Sequence, residues 1–120
     1  MKSADEMLRP WPRAWMGIPE DKVFGEKLIA ELKPFVESLI ERGFAKKTMD
    51  RHLNNLFLMG GEIIRDISMD EDYEADPATV LRDAVMCGEG PLCRHLHTEE
   101  EQRTYDATCR KLHKFLEEGL

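Results

Sequence analysis

The sequence predicts an all-α protein folded as a single bundle of four or five helices. Three observations carry that reading. Apolar residues recur at helical spacing in each long segment, helix punctuation stands at the segment ends, and no run alternates as a half-buried strand does. At 120 residues, 42% hydrophobic and 34% charged, the chain suits one globular domain with a modest core.

Residues 20–32 open the bundle, with Val23, Phe24, Leu28, Ile29 and Leu32 on one side of a helix. Pro34 has no N–H and its ring crowds the preceding turn, so it predicts a kink or a fresh helix start. Phe35, Val36, Leu39 and Ile40 continue the stripe, and Gly43 ends it as a left-handed cap. A second main helix is predicted over 46–67. Its apolar face is Met49, Leu53, Leu56, Phe57, Gly60, Ile63, Ile64 and Ile67. Leu58 and Met59 widen that face, so this helix is expected at the centre of the bundle. Gly60 and Gly61 each cost about 1 kcal/mol relative to alanine. Their presence predicts close approach of a neighbouring helix, or else a kink.

Residues 68–76 read as a solvated acidic linker. They lack the glycine and the closing glutamate of a calcium loop. Asp76 then caps a third helix with Pro77 at its first position, turning Val80, Leu81, Ala84 and Val85 inward. Gly88, Gly90 and Pro91 end it, and Leu92 and Leu96 are expected to plug the loop that follows. Thr98 and Glu101 form a capping box for the last helix, whose inner face is Tyr105, Cys109, Leu112, Phe115 and Leu116. The bundle domain is thus placed at 20–118. Residues 1–19, with Pro10, Pro12 and Pro19 and no helical period, read as an N-terminal arm. Trp11, Trp15 and Met16 are too apolar to leave in water, so the arm docks on the body, on a protein partner, or on a second copy as a homodimer.

The stretch FVESLIERGFAKKTMDRHLNNL at 35–56 resembles the N-terminal core-binding, SAM-like domain of tyrosine recombinases and phage integrases. It has that family's short helix, glycine turn, small residue, basic residue, threonine and long helix. The helices expected from about 76 and 98 fit the family's third and fourth, so the resemblance covers 35–118. It implies a module that clamps one side of duplex DNA within a mobile-element system. The implied contacts are Lys46, Lys47, Thr48 and Arg51 at the start of the second helix, and Arg110, Lys111 and Lys114 on the last. Ala45 stands where the family commonly has a serine cap, and the catalytic domain with its nucleophilic tyrosine has no counterpart in this sequence. Elementary electrostatics is compatible with the first set. Lysines and free N–H groups at a helix start attract phosphate, and Arg51 lies one turn beyond Lys47 on the same side.

The formal net charge of -7 opposes that reading, because DNA affinity comes mostly from neutralised phosphates. The cations must therefore cluster; scattered, they are only a solvated helix start. The competing function is a protein-interaction or self-associating domain with no nucleic-acid role.

Enzymatic chemistry is not expected. Cys87, Cys93, His95 and His97 make a C-x5-C-x-H-x-H run, and Cys109 and His113 stand one turn apart on the last helix. Cys93, His95, Cys109 and His113 are the zinc candidates, but none shows the C-x2-C spacing of strong sites. The plainer expectation is no metal and no other cofactor, with Cys87 and Cys109 as small buried hydrophobes. A cysteine and a histidine lack a third orienting group. Ser3, Ser38 and Ser68 sit in no nucleophile elbow. Tyr105 lies on an apolar stripe and reads as core. The odd cysteine count, the short apolar runs and the lack of an apolar signal core in MKSADEMLRPWPRAW predict reduced thiols, no membrane span and a cytoplasmic protein.

Overall fold

The first two helices lie in the segment where no helical period is legible. A computed structural model describes residues 2–118. Its elements are α1 (Ala4–Leu8), α2 (Trp11–Trp15), α3 (Pro19–Glu41), α4 (Lys46–Asp70), α5 (Pro77–Ala84) and α6 (Glu99–Glu118), with no strand among the described residues. The all-α class is as the periodicity predicts. Helices α3 to α6 are the long pattern-bearing elements; α1 and α2 are single turns that each bury one or two residues, too few to set a period. Ser3 and Glu6 cap α1 reciprocally, and Ala4 and Leu8 enter the core.

Local punctuation acts where expected. Gly43 takes φ +70 and closes α3. Asp76 accepts from the Thr79 N–H at 3.1 Å and the Thr79 hydroxyl at 2.8 Å, opening α5. The Thr98 side chain accepts from the Glu101 N–H at 3.0 Å, while Glu101 accepts from the Thr98 N–H at 3.0 Å. Two expectations change. Helix α3 continues through Pro34 rather than restarting there. Pro34 and Ala30 are both exposed, so water can satisfy the carbonyl that Pro34 leaves without a donor. Helix α4 also extends past residue 67 to Asp70 and closes on Glu71 in a left-handed conformation, φ 52.

Helix α4 contacts α2, α3, α5 and α6, the central position its wide apolar face predicts. Leu28, Leu32, Val36, Leu39, Leu56, Met59, Cys109 and Leu112 form the driest part of the core between α3, α4 and α6. The glycine pair in α4 does admit a close neighbour, but the neighbour is a side chain. A Cβ at Gly60 would come within 2.6 Å of Trp15 Cη2. Trp15 also donates from Nε1 to the Phe57 carbonyl at 3.0 Å. Gly25 lets α2 approach α3 in the same way, with Pro12 Cβ 3.1 Å from where its own Cβ would stand.

Asp21 joins three segments. Its carboxylate accepts from the Gly17 N–H at 2.8 Å, the Ile18 N–H at 3.1 Å and the Tyr73 hydroxyl at 2.6 Å. Burial works to raise its pKa, but these bonds outweigh it and hold the carboxyl below its ordinary 3.8. Because the folded value is depressed, the stabilisation is present above pH 3.8 and is lost as pH falls through the folded pKa. Asp21→Ala is expected to lower stability by about 2–3 kcal/mol at pH 7, by leaving two backbone donors and a phenol without their charged acceptor. Urea unfolding at pH 7 and pH 3 checks this: the gap between variant and parent should shrink at the lower pH.

Candidate functional site

The turn from α3 to α4 places a half-buried aromatic ring, Phe44, beside one cation of that turn and one of α6. Arg42 Cζ lies 5.7 Å from the ring centroid and Lys111 Nζ, from α6, lies 5.9 Å from it. Both distances are within cation–π range. The His52 ring meets Phe44 edge-on at 5.6 Å. Arg51 is exposed on α4, next in sequence to His52.

His52 is 6% exposed and is held by a polar network across α4 and α6. Its Nδ1 is 2.8 Å from Thr108 Oγ1, Asn55 donates to the same oxygen at 2.9 Å, and Asn55 also reaches the Thr104 carbonyl at 3.0 Å. These bonds fix the register of α4 against α6 and so fix Lys111 relative to Arg51. The His52 pKa lies below its ordinary 6.5. Burial is the first cause, followed by repulsion from Lys111, Arg51 and Arg42. One buried imidazole thus feels all three cations, so their fields overlap.

The ion pairs among the described residues are Lys22–Glu26, Lys33–Asp5, Lys46–Asp50 and Arg94–Glu62. Arg42, Lys47, Arg51 and Lys111 belong to none of them. The start of α4 adds to this positive region. Ala45 provides no side-chain cap, and the first turn carries no acidic residue.

The residues implied by the resemblance are distributed unevenly. Lys47 and Arg51 are exposed at the helix start and Thr48 is half-buried beside them. Lys46 is set apart by its 2.8 Å pair with Asp50, which raises its pKa and occupies its charge. On α6, Lys111 turns to Phe44, whereas the Arg110 stem lies 3.2 Å from where a Gly88 Cβ would be, on a different flank. Lys114 is exposed further along. Sequence reasoning missed Arg42, Phe44 and His52. The signal for His52 was available: it stands three residues after Met49 and four before Leu56, on the buried face.

The zinc candidates do not converge. Cys93 and Cys109 are buried, His95 is exposed, and no three His, Cys, Asp or Glu side chains gather among the described residues. Burial, with Asp106 and Cys93 nearby, pushes the Cys109 thiol up to about 12, so it stays protonated and inert at neutral pH. Cys87, expected in the core, is exposed instead, because α5 ends at Ala84 and the turn beyond carries it outward. Tyr105 is 1% exposed, donates to the Pro91 carbonyl at 2.8 Å, and has its pKa driven far upward by burial. Of the arm residues, Trp15 is committed to α4, Trp11 packs tilted at 5.8 Å from Trp15 and edge-on at 5.5 Å from Phe57, and Met16 is half-buried. No helix among the described residues is long and apolar enough to cross a membrane.

Comparison with protein-family models, with curated proteins and with solved structures returned no match.

Proposed function

We propose that this chain is a non-catalytic helical module of the SAM-like, integrase core-binding kind that contacts duplex DNA through its phosphates, in a mobile-element setting. The contacts are Arg42, Lys47, Arg51 and Lys111, with Thr48 and the free N–H groups at the start of α4 completing the site. The observation that carries this reading is the gathering of Arg42, Arg51 and Lys111 about Phe44 and His52, with Lys47 one turn before Arg51 on α4, all four outside every ion pair among the described residues, on a chain whose net charge is -7. An acidic protein that gathers unpaired cations on one face concentrates its positive field there. Phosphate contacts position a protein on the duplex and carry no base information, so the binding is weakly selective for sequence.

The test is titration of an arbitrary labelled duplex at low salt, followed by fluorescence anisotropy. The double variant Arg51→Glu with Lys111→Glu is expected to weaken binding at least tenfold. The control Arg65→Glu with Arg82→Glu changes net charge equally at exposed positions elsewhere and is expected to weaken it less than threefold. Equal effects from the two pairs would assign the binding to diffuse charge, and absence of binding by the parent would leave the protein-interaction reading in its place.

A further inference from the structure

From Arg42 to Gly61 the chain carries four cations and a single carboxylate, Asp50. That carboxylate stands inside the basic face of α4. At about 100° per residue, Lys46, Asp50, Lys47 and Arg51 follow one another around the helix within an arc of about 140°. Asp50 therefore lies between Lys46 and the two unpaired cations of this helix. Of the three it takes Lys46: Nζ and Oδ2 are 2.8 Å apart, and the pair raises the Lys46 pKa.

Helix stability does not account for this carboxylate. Both partners are exposed, 90% and 58% by side chain, where an ion pair contributes little. The order is the weaker one too, since an acid placed before its lysine stabilises a helix better than one placed after it. Asp50 also lies past the first turn of α4, where an acid would meet the helix dipole. What Asp50 does change is the charge offered to an anion. A lysine paired with an aspartate brings no net charge to a phosphate and releases no counterion from it. Turning Lys46 to the phosphate leaves Asp50 unpaired beside that phosphate, and their repulsion opposes the exchange.

We propose that Asp50 is an autoinhibitory carboxylate, which keeps Lys46 out of the phosphate contacts and limits the basic face to Arg42, Lys47, Arg51 and Lys111. This inference rests on the duplex-binding reading and adds a restraint to it. The face holds a fifth contact in reserve, released when the charge at Asp50 is removed.

The experiment uses the full chain and an arbitrary labelled duplex, titrated between 50 and 200 mM salt. Asp50→Asn is expected to bind at least threefold more tightly than the parent at 50 mM. Its log–log salt slope is expected to steepen from about -3.6 to about -4.5, one further phosphate at roughly 0.9 each. Adding Lys46→Gln to Asp50→Asn is expected to return the slope to about -3.6. The control Asp66→Asn makes the same change of net charge at an exposed position of α4 about 24 Å further along its axis. That separation exceeds the screening length of about 10 Å at 0.1 M, so the control is expected to leave the slope unmoved. A urea midpoint for Asp50→Asn close to that of the parent separates the effect from a structural one. If Asp50→Asn behaves like Asp66→Asn while the parent binds, the restraint is overturned and the duplex-binding reading stands. A slope that stays steep in the double variant also overturns it, because Lys46 is then not the contact released. Binding by Asp50→Asn alone, with a silent parent, supports the restraint in a stronger form; silence from both ends the restraint and the reading together.

Discussion

Replacing Trp15 with alanine is expected to destabilise the fold by about 3–5 kcal/mol. The indole is stacked on Phe57 at 5.9 Å and 24°, touches Trp11, and bonds the Phe57 carbonyl. It lies on a floor that only glycine provides. A domain of this size has about 5–15 kcal/mol in total, so losing this contact approaches unfolding. Gly60→Ala isolates the floor. Helix propensity favours alanine by about 1 kcal/mol. Against that, the new methyl would overlap a rigid ring 2.6 Å from its Cη2 atom, with no flexible end to swing aside. Overpacking of this kind costs about 1–3 kcal/mol, so the net effect in the parent is destabilising. In the Trp15→Ala background the overlap is gone and only propensity remains, so Gly60→Ala should there stabilise. Urea unfolding of the four proteins of this cycle measures the reversal of sign. A stabilising Gly60→Ala in the parent would show that the indole does not rest on α4.

The contrast between that contact and the helix caps explains which features were legible in the sequence. Caps such as Asp76 with Thr79 or Thr98 with Glu101 act over three residues, so the chain states them directly. The Trp15–Phe57 bond spans 42 residues, and nothing near Gly60 names what fills the space above it. The proline-rich arm hid two short helices for a related reason: a five-residue helix cannot display a period. The same division runs through the candidate site. Lys47 and Arg51 are neighbours along one helix and could be read together. Arg42 and Lys111 join them only once α3, α4 and α6 pack around Phe44. The Lys46–Asp50 pair is an i,i+4 relation that the sequence also displays, and it separates Lys46 from the unpaired cations.

Raising salt from 50 to 200 mM is expected to weaken binding of an arbitrary duplex about 150-fold. Four contacting cations give a log–log slope of about -3.6 at roughly 0.9 per neutralised phosphate. Removing two of them, as in Arg51→Glu with Lys111→Glu, should at least halve that slope. Burial first, and then the charges of Lys111, Arg51 and Arg42, lower the His52 pKa, and the part due to charge supplies a local reporter of where the anion sits. In the free protein the folded value lies below 6.5, so the unfolded chain binds more protons in that range. His52 therefore favours folding above pH 6.5, and that contribution is lost as pH falls towards its folded pKa. A phosphate bound among Lys111, Arg51 and Arg42 cancels their repulsion, which moves the His52 pKa upward. By linkage, DNA binding then takes up protons and tightens as the solution is acidified through that pKa. Proton NMR titration of the His52 ring, with and without a saturating duplex, measures the shift. Binding that leaves the His52 midpoint unmoved would place the phosphates away from this face, because a charge cancelled next to a buried imidazole cannot leave its proton affinity unchanged.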